Sequence, residues 1–163
     1  GDKNFLRYTL SSSAFFSFFS TQVLELRAKA GAIDDFGASS KVPIYERFFV
    51  GGANTIRGYK ERRVGPSDPV TSDPIGGKSM LLGTVEYTVP FVKVLKGAAF
   101  YDIGNVWPNV GSFGATDLKS GAGVGARIKT PLGPVKLDYG WPLDSVKGEK
   151  KSPRFHFSMS RGF

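Results

Sequence analysis

Leu81-Leu82-Gly83-Thr84-Val85-Glu86-Tyr87-Thr88-Val89 places Leu81, Gly83, Val85, Tyr87 and Val89 on one side of an extended chain and Leu82, Thr84, Glu86 and Thr88 on the other. A period of two is the signature of a strand with one apolar and one polar face. Pro90 follows and is read as its end, since proline has no N–H for the ladder. Upstream, Leu24, Leu26, Ala28 and Ala30 alternate with Glu25, Arg27 and Lys29. Before that, Asn4 to Ser20 carries Leu6, Tyr8, Leu10, Phe16 and Phe18 in one register and Arg7, Thr9, Ser11 and Ser13 in the other. The aromatic pairs Phe15-Phe16 and Phe18-Phe19 crowd one end of that segment, where an interfacial girdle or a turn belongs.

Downstream the pattern continues. Ala99, Tyr101, Ile103, Asn105 and Trp107 alternate with Ala98, Phe100, Asp102, Gly104 and Val106, so Asp102 faces the same way as Glu86. In an antiparallel hairpin the two carboxylates lie on neighbouring strands, and two like charges there need a cation between them. A glycine-rich connection, 108 to 116, leads to Ser120, Ala122, Val124, Ala126 and Ile128, interleaved with Lys119, Gly121, Gly123, Gly125, Arg127 and Lys129. The glycines clear one wall for the approach of another backbone. After the turn Pro131-Leu132-Gly133-Pro134, Val135, Leu137, Tyr139 and Trp141 are expected outward, with Lys136 and Asp138 inward. The chain closes on Phe155, Phe157, Met159 and Phe163, with His156, Ser158 and Ser160 opposite.

A soluble sandwich and a membrane barrel share this local pattern. Segment length separates them, because several strands run ~9 to 11 residues, enough to cross a bilayer when tilted. Aromatic residues at segment ends and an apolar terminal strand closing on an aromatic favour the barrel. The expected fold is all-β, an antiparallel transmembrane β-barrel of about seven strands in one unit over 1–163.

Composition removes other classes. The 163 residues contain no cysteine and one histidine, so there is no disulfide framework and no thiolate metal site. His156 has no visible partner and is read as structural or pore-lining. No metal, cofactor or enzymatic role is expected: no residue series supports acid–base, nucleophilic or metal chemistry, and Asp34-Asp35 reads as a solvated turn. The net charge of +8 is scattered along strands rather than gathered on a helix or arm, which argues against nucleic acid. Lys147-Gly148-Glu149-Lys150-Lys151 reads as a solvated hairpin tip.

One interruption is too long for a hairpin connection of ~2 to 5 residues, the polar loop from about 32 to 78. It contains Gly51-Gly52-Ala53-Asn54-Thr55-Ile56-Arg57-Gly58-Tyr59. Arg57 is a permanent cation with a planar fork of donors, suited to a carboxylate.

These features together resemble the C-terminal half of a BamA-type barrel, of the outer-membrane assembly-factor superfamily with mitochondrial, chloroplast and two-partner-secretion members. The resemblance rests on Pro43-Ile44-Tyr45-Glu46-Arg47-Phe48, the pair Gly51-Gly52, Ile56-Arg57-Gly58-Tyr59, the strand from Glu86 to Pro90, and Phe100-Tyr101-Asp102-Ile103-Gly104-Asn105-Val106-Trp107. It continues through Thr130-Pro131-Leu132-Gly133-Pro134 and the terminal strand from Phe155 to Phe163. It implies that the loop folds into the lumen and that Arg57 contacts Glu86 and Asp102 on the inner wall. It also implies folding and insertion of β-barrel proteins into the bacterial outer membrane, ahead of an organelle outer membrane, without nucleotide or metal. The implied partners are outer-membrane lipid, unfolded β-barrel substrates and, for the full-length protein, accessory assembly lipoproteins. A lateral seam at the terminal strand would admit substrate strands by edge pairing. The alternative within the same resemblance is an export pore of the two-partner-secretion kind, and the repeats upstream of Gly1 would separate the two.

The family's periplasmic repeat domains are absent from these residues, and about seven strands leave two edges that hydrocarbon does not tolerate. The expectation is a fragment of a longer protein, or a half-barrel whose edges self-associate.

Overall fold

The computed structural model describes residues 4–36, 42–112, 114 and 117–159. Phe163, and residues 37–41 of the long loop, lie outside that set. Seven strands follow in order: β1 (Asn4–Phe18), β2 (Gln22–Phe36), β3 (Ser79–Val92), β4 (Leu95–Trp107), β5 (Lys119–Thr130), β6 (Gly133–Pro142) and β7 (Arg154–Met159). Each pairs antiparallel with the next in one sheet of order β1 to β7, an up-and-down meander. The sheet is not closed within this chain; its two edges are β1 and β7.

The turns 18–22, 92–95 and 130–133 are short and share one end, while the connections of 37–78, 108–118 and 143–153 share the other. The sheet is curved, since Ser11 and Ser13 of β1 and Lys136 and Ser158 of β6 and β7 line one cavity of about 470 Å³ on its concave side. Its convex face carries the apolar register. Val85, Val124, Tyr139, Phe155 and Phe157 are exposed there, the last two at 63% and 58%. A soluble sheet would cover such a row; one facing lipid leaves it bare.

From Val42 onward the long loop is folded rather than splayed. A short 3-10 turn, Ile44–Glu46, precedes isolated bridges between Phe48 and Gly77, Val50 and Val64, and Ser67 and Pro74. Val42, Phe48, Val50, Ile56, Tyr59 and Val64 form a hydrophobic cluster with Ile33, Met80 and Val106 of the walls. The only apolar core of this size among the described residues therefore lies inside the curve, at the long-connection end.

Three expectations are corrected. The loop begins after Phe36 rather than near residue 32, because β2 keeps pairing with β1 up to Asn4↔Phe36. Asp34 and Asp35 are strand residues and not a turn, and Asp35 accepts from Lys78 Nζ at 2.9 Å across the loop's base. Pro90 does not end β3, which runs on to Val92 with a register shift between the two. A bulge near a strand end is where a missing N–H is tolerated.

Candidate functional site

Glu86 of β3, Asp102 of β4 and Asp138 of β6 point into the concavity, as their alternation requires. They are 3%, 0% and 3% exposed. Register sets Thr84 opposite Asp102 and Phe100 opposite Glu86, so the first two carboxylates are diagonal neighbours. Arg57 descends from the loop between them and is itself buried. Its Nε and Nη2 donate to Asp102 Oδ2 and Oδ1 at 2.7 and 2.9 Å, the bidentate fork. Its backbone N–H adds a bond to Asp102 Oδ2 at 3.0 Å. Nη1 donates to Glu86 Oε2 at 2.9 Å and to Asp138 Oδ2 at 3.4 Å. The guanidinium carbon sits 3.6 Å from the Phe100 ring centroid, within cation–π range.

Arg127 of β5 completes the arrangement. Its Nε and Nη2 donate to Glu86 Oε1 at 3.1 and 2.7 Å, and its Nη1 donates to Asp138 Oδ1 at 2.6 Å. Glu86 and Asp138 thus each bridge the same two arginines through opposite oxygens. Burial opposes the Arg57 charge, but the hydrogen bond to Asp102 and the charges of Asp102, Glu86 and Asp138 reverse that effect and raise its pKa above the usual arginine value. Arg57 is a cation at any pH the protein meets.

Backbone fit brings the loop this close. Gly58 has φ of +99° and lies against β6, where a Cβ would meet Pro142 N at 2.9 Å. On the wall, a Cβ at Gly121 would sit 2.1 Å from the Arg57 carbonyl oxygen, and one at Gly140 2.7 Å from Gly58 N. Of the glycines read from the sequence, Gly121 seats the loop, together with Gly140, whereas Gly123 and Gly125 face Tyr139 and Phe100, and Asp138 and Arg127, of the wall itself. Gly58 N–H donates to His156 Nε2 on β7 at 2.9 Å. The Tyr59 hydroxyl donates to Ser120 O at 2.7 Å, and burial pushes its pKa up to about 12, keeping it a donor. Earlier in the loop, the Thr55 hydroxyl accepts from Gly51 N–H at 2.8 Å, Gly52 N–H donates to Ile56 O at 3.1 Å, and Ile56 is fully buried. Arg47 pins the loop to itself, donating to the carbonyls of Val42 and Ile75 at 3.1 Å each.

The structure thus brings Arg57 to Glu86 and Asp102, while Gly51, Gly52 and Ile56 shape the loop that carries it and Gly58 and Tyr59 hold that loop to β7 and β5. Phe155, Phe157 and Met159 stay apart from them, on the convex face of β7 and exposed. Sequence reasoning missed Asp138, Arg127 and His156 as partners, although each stood in an inward register. What the arrangement can do is hold a loop against a wall, with one ionic centre touching β3, β4, β5 and β6.

An Omp85 superfamily domain model matches residues 1–163. The chain is 36% identical over 167 residues to "Outer membrane protein assembly factor BamA" of Nitratidesulfovibrio vulgaris, covering 100% of this chain and 21% of that protein. Against the protein of the same description from Neorickettsia risticii, identity is 34% over 160 residues, covering 92% and 21%. "Outer envelope protein 80, chloroplastic" of Arabidopsis thaliana is 30% identical over 123 residues, covering 71% of this chain and 15% of that one. The chain therefore spans about a fifth of the length of the BamA relatives it matches. Among solved structures, BamA from Haemophilus ducreyi lacking POTRA domains 1-3 has a TM-score of 0.73 at 21% identity, covering 94% of this chain and 34% of that one. CdiB from Acinetobacter baumannii has a TM-score of 0.62 at 15% identity, covering 96% and 27%. These two likenesses speak to the fold.

Proposed function

The chain belongs to the Omp85 superfamily, and we propose that it is the barrel part of an outer-membrane protein assembly factor, folding and inserting β-barrel proteins into the outer membrane. Its location is that membrane. The observation that carries the reading is the loop held in the concavity by the buried contacts of Arg57 with Asp102, Glu86 and Asp138. A loop clamped this firmly braces one wall, and leaves the terminal strand as the place where substrate strands add by edge pairing. Unfolded β-barrel proteins are then the substrates, and accessory assembly lipoproteins are partners of the full-length protein. The reading is non-enzymatic and needs no cofactor.

The export-pore alternative makes the opposite demand, that the loop leave the lumen for each polypeptide passed. Lys60 and Glu149 face one another across the mouth, Nζ to Oε2 at 3.3 Å. Cysteines at both, joined by a short bifunctional thiol reagent in the full-length protein, would hold the loop in place. In proteoliposomes the locked protein should still accelerate folding of an added outer-membrane β-barrel protein. No acceleration by the protein, locked or unlocked, would overturn the assembly reading in favour of a pore; loss on locking with recovery on cleaving the linker would overturn the requirement that the loop stay in place.

A further inference from the structure

The motif from Gly51 to Tyr59 reaches β3, β4 and β6 through Arg57, and β5 through the Tyr59 hydroxyl. Among the described residues, its hydrogen bonds and ion pairs reach β7 at one place, Gly58 N–H to His156 Nε2. That bond fixes a protonation state. A backbone N–H can only donate, so Nε2 must carry a lone pair and the imidazole must be neutral with its proton on Nδ1.

The charges around His156 sharpen the point. Asp138 stands directly opposite in register on β6, Arg57 and Glu61 face it from the loop, and Arg154 lies two residues before it on β7. Each is already engaged. Asp138 is held by Arg127 and Arg57, Arg154 donates to Glu149 at 3.3 Å, and Glu61 accepts from Ala53 N–H at 3.2 Å. An imidazolium at this position would displace the Gly58 bond, and the carboxylate opposite it, Asp138, is already shared by two arginines. It would set two donors head to head beside the Arg57 cation, in a site where His156 is 9% exposed.

We propose that His156 is a positioning residue that latches the lumen loop to the terminal strand, and that the latch holds only while its imidazole is neutral. The proposal rests on the assembly-factor reading for its consequence, since β7 is there the seam strand. Acidification would uncouple the seam from the loop while the arginine centre keeps the loop in the lumen. Stranding one buried donor shifts such a docking equilibrium by about tenfold.

The test uses the full-length protein in detergent micelles. Asn54 and Ser158 line the same cavity, so nitroxides on Asn54→Cys and Ser158→Cys report the separation of loop and β7 by dipolar broadening of the spectrum. Broadening present at pH 8 should fall at pH 5. His156→Gln, which offers a neutral acceptor with no titration, should keep it at both; His156→Lys should lack it at both. Equal broadening at both pH values without substitution, retention in His156→Lys, or the same pH response in His156→Gln would each overturn the latch. Substrate folding in proteoliposomes is measured separately: its absence with the spectral response intact would overturn the assembly reading and leave the latch standing.

Discussion

Replacing Arg57 by alanine is expected to destabilise the docked loop by about 3–5 kcal/mol, the scale for removing one partner from a buried ionic cluster. The substitution leaves the fully buried Asp102 carboxylate with no arginine, because Asp102 alone of the three acids makes no contact with Arg127. Glu86 and Asp138 keep the second guanidinium, which limits the loss to one unpaired charge. Arg57→Lys should fall between, keeping the charge and losing the bidentate fork and the flat stacking on Phe100. The measurement is tryptic cutting at Lys60, Arg62, Arg63 and Lys78 of the full-length protein in micelles, together with its urea midpoint. Unchanged cutting and an unchanged midpoint in Arg57→Ala would contradict the clamp. Asp102→Asn in the same background should add little, since its partner is already gone.

A lysine introduced on the convex face at Val85 or Val124 should cost about 2–4 kcal/mol, the midplane penalty for a cation on the lipid side of a barrel strand. Both residues lie near the middle of their strands and are 43% and 53% exposed. Lys136→Gln on the concave side removes a charge from the polar cavity and should be mild by comparison. Reversible unfolding in lipid vesicles distinguishes the two faces. If Val124→Lys proved as mild as Lys136→Gln, the convex face would not be the lipid face.

The strand order and the faces of the sheet were legible because alternation survives in most strands, although Ser11-Ser12-Ser13 and Phe15-Phe16 break it in β1. Glu86 and Asp102 share a face by counting alone, and of the glycines at 121, 123 and 125 the first marks the close approach of the loop. Strand ends were less legible. Pro90 and the pair Asp34-Asp35 carry breaker chemistry, yet pairing with the partner strand outweighs local preference, through a bulge in one case and an ion pair to Lys78 in the other. Asp138 and Arg127 were placed inward but not together, because their meeting depends on register. Asp138 sits opposite Gly125, where a Cβ would be 2.0 Å from its Oδ1, and this gap lets the Arg127 guanidinium reach it. His156 was set aside for want of a partner, and its partner is a backbone N–H, which leaves no trace in side-chain patterns.

The contacts that seat the loop join residues far apart in the chain, and this bears on the order of folding. Arg57 lies 45 residues from Asp102 and 81 from Asp138, and Gly58 lies 98 from His156. Arg127 meets Asp138 across only 11 residues. Closing the shorter loop carries the smaller entropic cost, so the β5–β6 hairpin can form with Asp138 already neutralised and Glu86 can join as β3 and β4 add. Arg127 then chaperones the acids of the wall until Arg57 arrives. Docking of the loop becomes a late event, on the native side of the main barrier. Changes at Arg57 are therefore expected to speed unfolding with little effect on the rate of folding, whereas changes at Arg127 slow folding itself.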